Sequence, residues 1–181
     1  MKDFTNTDTI YQKSLQTINL KIGEEHRSRI LRRYTIIKTP DDIHNILRII
    51  FRTLDDGQSH AVLLILNNDN RVTGYKVLSS GTRHSYALDP ALVFRHAILL
   101  GASRIIIAHN DTSEGARFLR EDVDISEQVM RLGALHNIPV LDHIIMVHNG
   151  FRSLREYSRN FYRFIQDDIE AEKRVGGKYD A

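Results

Sequence analysis

The chain has no cysteine, which excludes a disulfide framework and a thiolate zinc site, so any metal must rest on His, Asp and Glu. That absence is compatible with a reducing compartment, and a cytoplasmic location is the expectation. No stretch approaches the run of about 20 apolar residues that crosses a bilayer. The opening Met1-Lys2-Asp3-Phe4-Thr5 has no apolar signal core, so we expect a soluble protein that is neither exported nor membrane-bound. Charge of one sign is scarce as well: the formal net charge is +2 with neutral histidines, too small to argue for nucleic acid. No internal repeat or low-complexity block is present.

What is there fits one domain with extensions, since 181 residues can bury a core without covalent staples. Residues 1 to about 18 are polar and lack a firm period, the composition of a loosely attached arm. A helical pattern over 20–34 carries Lys21, Arg27, Arg29, Arg32 and Arg33, with Lys38 beyond, most simply a solvated face. Thr39-Pro40-Asp41-Asp42 reads as an N-cap, a proline at the first helical position and acids against the helix dipole. Ile43, Ile46, Leu47, Ile50 and Phe51 continue it at helical spacing, and Gly57 follows as a break.

Residues 60–66 and 71–79, with Asn67-Asn68-Asp69-Asn70 between them, predict a hairpin. The unbroken apolar run from Ala61 to Leu66 predicts an internal strand buried on both faces. Asp89-Pro90 starts another helix with Val93, Phe94, Ala97 and Ile98 inward and Gly101 closing it. A strand over 104–108 follows, then a polar loop and a helix over about 120–137 with Ile125, Val129 and Leu132 inward. Residues 140–147 form a strand, His148-Asn149-Gly150 a turn, and 151–154 a short strand. A last helix from Arg155 carries Tyr157, Phe161, Phe164, Ile165 and Ile169, and the tail is frayed. The expected fold is α+β, α/β/α-like: a single mixed sheet flanked by helices.

The chemistry gathers at Ala108-His109-Asn110-Asp111 and the loop to Asp122, a strand end running through a polar turn into a helix N-terminus. Side chains i and i+2 share a strand face, so His109 and Asp111, with Asp122 close by, are a candidate metal-ligating set. His143 and Asp142 suggest a hydrogen-bonded structural pair. His84, His96, His136 and His148 have simple surface, cap or turn readings.

Val77-Leu78-Ser79-Ser80-Gly81-Thr82, Pro90, Ala108-His109-Asn110, Asp122, Val140-Leu141-Asp142-His143-Ile144-Ile145 and Ser153-Leu154-Arg155-Glu156 together resemble the RadC-like branch of the JAB/MPN (JAMM) metalloprotease family. The resemblance covers residues 36–157, leaving 1–35 as an N-terminal arm and helix and 158–181 as a C-terminal helix and tail. It implies the JAB/MPN, cytidine-deaminase-like fold. It also implies a zinc site of Glu, His-x-His and, seven residues on, Ser-x-x-Asp, in which two His and the Asp hold zinc, the Glu handles the water proton and the Ser steadies the tetrahedral intermediate.

Position by position, His109 and Asp122 are kept. The second His is Asp111, the Ser is Leu119, and the Glu position falls on Ser59. Asp111 remains a ligand type suited to zinc or a harder divalent ion. Leu119 cannot donate a hydrogen bond, an interaction worth about 3 kcal/mol in comparable oxyanion sites. Ser59 cannot act as a carboxylate base, a loss of about 100- to 10,000-fold. Replacements to look for are His60, which alternation sends to the opposite face, and Glu114 and Glu121 in or beside the loop.

Three functions follow as expectations. The first is a catalytically degenerate RadC-like JAB domain acting through a protein partner or self-association. The second is an active metal-dependent peptidase or isopeptidase with altered ligands His109, Asp111 and Asp122. The third is a DNA-associated protein using the basic N-terminal segment, with phosphate contacts that weaken as salt rises.

Overall fold

In a computed structural model of the chain, the described residues are 36–54, 58–81, 88–111 and 117–158, with 163, 165, 167 and 170 beyond them. The N-terminal arm and its basic helix, Gly57, His84, the loop residue Glu114, Phe161, Phe164, Ile169 and the tail lie outside the described residues.

Among the described residues nine elements follow in order: α1 (Pro40–Phe51), β1 (Ser59–Leu66), β2 (Val72–Gly81), α2 (Pro90–Leu99), β3 (Arg104–Asn110), α3 (Arg120–Leu135), β4 (Val140–Val147), β5 (Gly150–Ser153) and α4 (Leu154–Tyr157). The strands form one sheet in the order β2-β1-β3-β4-β5. All neighbours pair antiparallel except β3 and β4, which are parallel. That one parallel pair needs a crossover, and α3 supplies it. The α+β architecture of a single mixed sheet between helices is thus present.

The caps form as their residue types dictate. Thr39 accepts from the Asp42 amide while the Asp42 carboxylate accepts from the Thr39 amide, both orphan donors of the α1 N-terminus being satisfied. Asp89 caps α2 by accepting from the Ala91 amide at 2.8 Å, with Pro90 at the first position. Gly101 follows α2 with φ +64°, a left-handed conformation that suits glycine at a helix C-terminus.

β1 is buried along its whole length, as its unbroken apolar run requires of a strand with neighbours on both edges and helices on both faces. Alternation divides the core in two. Leu63, Ile65, Ile105, Ile107 and Ile145 pack against α2 and α3, while Val62, Leu64, Ile106, Ala108 and Ile144 pack against Ile43, Ile46, Leu47 and Ile50 of α1.

Two helix stripes differ from expectation. Ile98 is 54% exposed, because the α2 stripe that reaches the sheet is Val93, Phe94 and Ala97. Tyr157 is 66% exposed, with its ring tilted at 44° to that of Phe118, an exposure compatible with a helix face kept for another subunit. The buried stripe of α3 is Asp122, Ser126, Val129, Met130 and Gly133, so Ile125 and Leu132 sit on its flanks. Gly133 fixes that rotation: a Cβ there would lie 2.7 Å from the Ile138 carbonyl oxygen, so the helix approaches the β4 entry more closely than any side chain permits.

Candidate metal centre

The polar half of the α3 stripe faces two histidines of the sheet. His109 comes from the end of β3, His143 from the neighbouring β4, and Asp122 from the first turn of α3. All three are buried, at 3%, 1% and 5% exposure respectively. One ligand atom from each lies within 4.8 Å of the others, a group able to hold a metal ion.

The hydrogen bonds fix the protons. Ser126 sits one turn after Asp122 and donates its only proton to the Asp122 carbonyl. His143 Nδ1, 2.7 Å from the Ser126 oxygen, is therefore the donor of that pair. Burial, reinforced by the neighbouring His109, pushes the His143 pKa down to about 3 against the opposing pull of Asp122. A neutral ring protonated at Nδ1 carries its lone pair on Nε2, so the 3.0 Å contact between the rings is donated by His109 Nδ1. His109 is itself pushed down to about 3 by burial. Its lone pair is then on Nε2, which faces Asp122 Oδ1 at 3.8 Å. This is neither an ion pair, the imidazole being neutral, nor a hydrogen bond, the distance being too long.

A lone pair facing a carboxylate oxygen suits a shared divalent cation, with nitrogen and oxygen each within reach of a zinc-type bond of about 2.0–2.2 Å. The donor types therefore fit zinc or a similar ion. Drawing in His143 as well has a cost, since its Nε2 already accepts from His109 and that bond must be exchanged for the metal. The other Asp122 oxygen is committed to the helix, accepting from the Leu119 amide at 2.8 Å.

The remaining candidates sit as follows. Asp111 lies just past β3, half-buried, with its amide donating to the Met146 carbonyl, and does not join the group of three. Ser59 is 5% exposed and shares the His109 face, since Ala61, two residues on, pairs with His109. Leu119 is the N-cap of α3 and 56% exposed, offering no donor to the group. His60 faces the other way, as alternation requires, and its Nδ1 meets the Ser80 hydroxyl at 2.8 Å. Glu121 is exposed on the first turn of α3.

Sequence reasoning missed three polar residues. Ser126 reads as an ordinary helix residue, although its i+4 spacing from Asp122 was a signal. The His143 ring, hidden in an apolar strand, turns away from Asp142: the Asp142 carboxylate accepts instead from the His143 backbone amide. Ser79 pairs with Ala61 and so shares the His109 face, where its buried hydroxyl has no hydrogen-bond partner among the described residues.

With this geometry in place, comparison with known proteins is informative. The RadC-like JAB domain family matches residues 37–160. A UPF0758 protein of Gloeothece citriformis is 26% identical over 92% of this chain and 68% of its own length. One from Synechocystis is 36% identical over 61% of this chain and 46% of its own. One from Staphylococcus haemolyticus is 31% identical over 81% of this chain and 64% of its own. The chain thus spans about half to two thirds of the length of these curated relatives.

Proposed function

We propose that this chain, which belongs to the RadC-like JAB domain family, is a hydrolytically silent form that acts through binding, to a protein partner or to itself. The observation that carries this reading is the closure of the group. His109, Asp122 and His143 are all buried, the two rings are bonded to each other, and His143 is bonded on its other side to Ser126. A catalytic zinc site keeps an open position for water and substrate, whereas a closed site is structural. The motif positions agree: Ser59 is no proton acceptor at neutral pH and Leu119 is no donor for an oxyanion. Exposed Ile98, Leu99 and Leu135 give the outer helices apolar surface for contacts.

If an ion is held, His109 and Asp122 hold it, with His143 joining when its bond to His109 is exchanged. A divalent ion there supplies Lewis acidity and a more acidic bound water. This chain's own residues would then have to accept that water's proton, and His143, its pKa pushed down to about 3 by burial, is a poor acceptor for it. The grouping of His143 with His109 and Asp122 favours a second reading, an active metal hydrolase in which His143 replaces the lost imidazole of the motif.

Protein purified without chelator, assayed for bound metal and for cleavage of peptide and isopeptide substrates with and without added zinc, decides between them. We expect no cleavage above the blank in either condition. Zinc-dependent cleavage that Asp122→Asn abolishes would overturn the proposal in favour of the hydrolase.

A further inference from the structure

The other side of the sheet holds a cavity, at the end of β3 opposite to His109. It measures about 730 Å³ and is lined by residues of the α1 entry, the β3 and β4 starts, and α4. His109 and Arg104 lie five residues apart along β3, roughly 16 Å at strand rise, and the cavity is on the α1 face while the histidines are on the α3 face. The two are separate places.

Four cations line it, Lys38, Arg104, Arg155 and Arg163, against two carboxylates, Asp142 and Glu156. The Asp142 oxygens are already occupied. One accepts from the Ser153 hydroxyl and the other from the His143 and Arg155 amides. Glu156 is exposed. Among the described residues none of the four cations forms a salt bridge, although Lys38 and Arg155 lie near enough to Asp42 and Asp142 to favour those carboxylates' charges, and Arg104 and Arg163 face no carboxylate in this way. Lys38, Arg104 and the C-terminal pair Arg155 and Arg163 come from three separate parts of the chain, so this convergence is made by the fold and is not the solvated face of one helix. Like charges brought together repel, and an anion between them removes that cost.

One of the four is held in place. Arg104, half-buried, donates from a terminal guanidinium nitrogen to Asn70 Oδ1 at 2.6 Å. Asn70 has φ +57°, a left-handed conformation that asparagine tolerates, and its backbone is fixed by bonds to Asn67 and Ile37. A turn thus holds the arginine at the cavity wall, and a guanidinium so fixed is suited to phosphate oxygens. Ile37, Ile43 and Leu141 supply apolar wall beside it, and the volume is within the range of small-molecule sites, about 300–1,000 Å³.

We propose that this cavity binds a small phosphorylated molecule, its phosphate met by Arg104, Arg155, Arg163 and Lys38 and its apolar body by the Ile37, Ile43 and Leu141 wall. The test is calorimetry on the full chain at low salt with AMP, inorganic phosphate and adenosine as probes. Saturable one-to-one binding of AMP, competed by phosphate and absent with adenosine, is expected. Arg155 and Arg163 are exposed, so the double variant Arg155→Gln/Arg163→Gln keeps the melting temperature while weakening AMP about tenfold or more. Asn70→Gly, which keeps the left-handed turn and removes the hold on Arg104, weakens it by a smaller factor. No saturable binding of AMP or phosphate at millimolar concentration, or binding unmoved by the folded double variant, would overturn the proposal. So would binding of single-stranded DNA alone with a steep salt dependence, which marks a polyanion track.

Discussion

Asp142 and His143 are neighbours on β4, equally buried, and point to opposite faces of one sheet. Burial disfavours the charged form of both, raising the Asp142 pKa to about 6 and lowering that of His143 to about 3. Their partners make the difference. Asp142 has three donors, from Ser153, Arg155 and His143, which work against burial. At neutral pH it remains largely ionised and ties β5 and the start of α4 to β4. His143 has partners that its neutral tautomer satisfies, Ser126 on one side and His109 on the other. One face uses a charge as a clamp; the other lines up uncharged rings as potential ligands.

The clamp should break hardest. Asp142→Ala leaves one hydroxyl and two amides without their acceptor, and we expect a loss of about 3 kcal/mol or more in urea unfolding. A loss below about 1 kcal/mol would show that water or a shifted strand replaces the carboxylate.

Acid pits the two residues against each other. His109 and His143 have folded pKa values lowered from 6.5 to about 3, so in that window the unfolded chain binds more protons and stability falls as pH falls. Asp142, raised from 3.8 to about 6, has the opposite sign: between those values the folded chain binds the extra proton and gains stability as pH falls. Two imidazoles outweigh one carboxylate, and we expect a net loss of about 2 kcal/mol between pH 7 and 5 from these three groups. Asp142→Asn removes the opposing proton, so its unfolding free energy should fall more steeply over that interval than the parent's.

Ser126→Ala tests the rings. It strands the His143 Nδ1 proton and should cost about 1.5 kcal/mol. The imidazole nitrogen shifts of His143 in NMR should report whether the ring then exchanges tautomer. The smallest effect is a gain. Leu119→Ser restores a hydroxyl at the motif position, which is also the α3 N-cap, and should stabilise the protein by about 0.5–1 kcal/mol. It should leave hydrolysis absent, because Ser59 still stands where a base is needed.

Local chemistry was readable from the chain. Thr39-Pro40 and Asp89-Pro90 cap helices because each cap bonds to an amide two or three residues away, and the run from Ala61 to Leu66 announced a buried internal strand. Ile98 was misplaced because a stripe at helical spacing does not say which of its edges meets the sheet. Ser126 and the His143 ring were illegible for a stronger reason: their partners are 17 and 34 residues away.

The order of residues settled which chemical groups this protein can offer: no thiolates, His109 and Asp122 kept at two motif positions, and side chains at Ser59 and Leu119 that cannot replace a base and a hydroxyl donor. Only the packed molecule decided that His143, from a parallel neighbouring strand, meets them while Asp111 stays apart, and that four scattered cations share a cavity on the opposite face. Residue types act through bonds each group can make alone, whereas strand register and the docking of α3, set by Gly133, decide which distant groups come within a few ångströms.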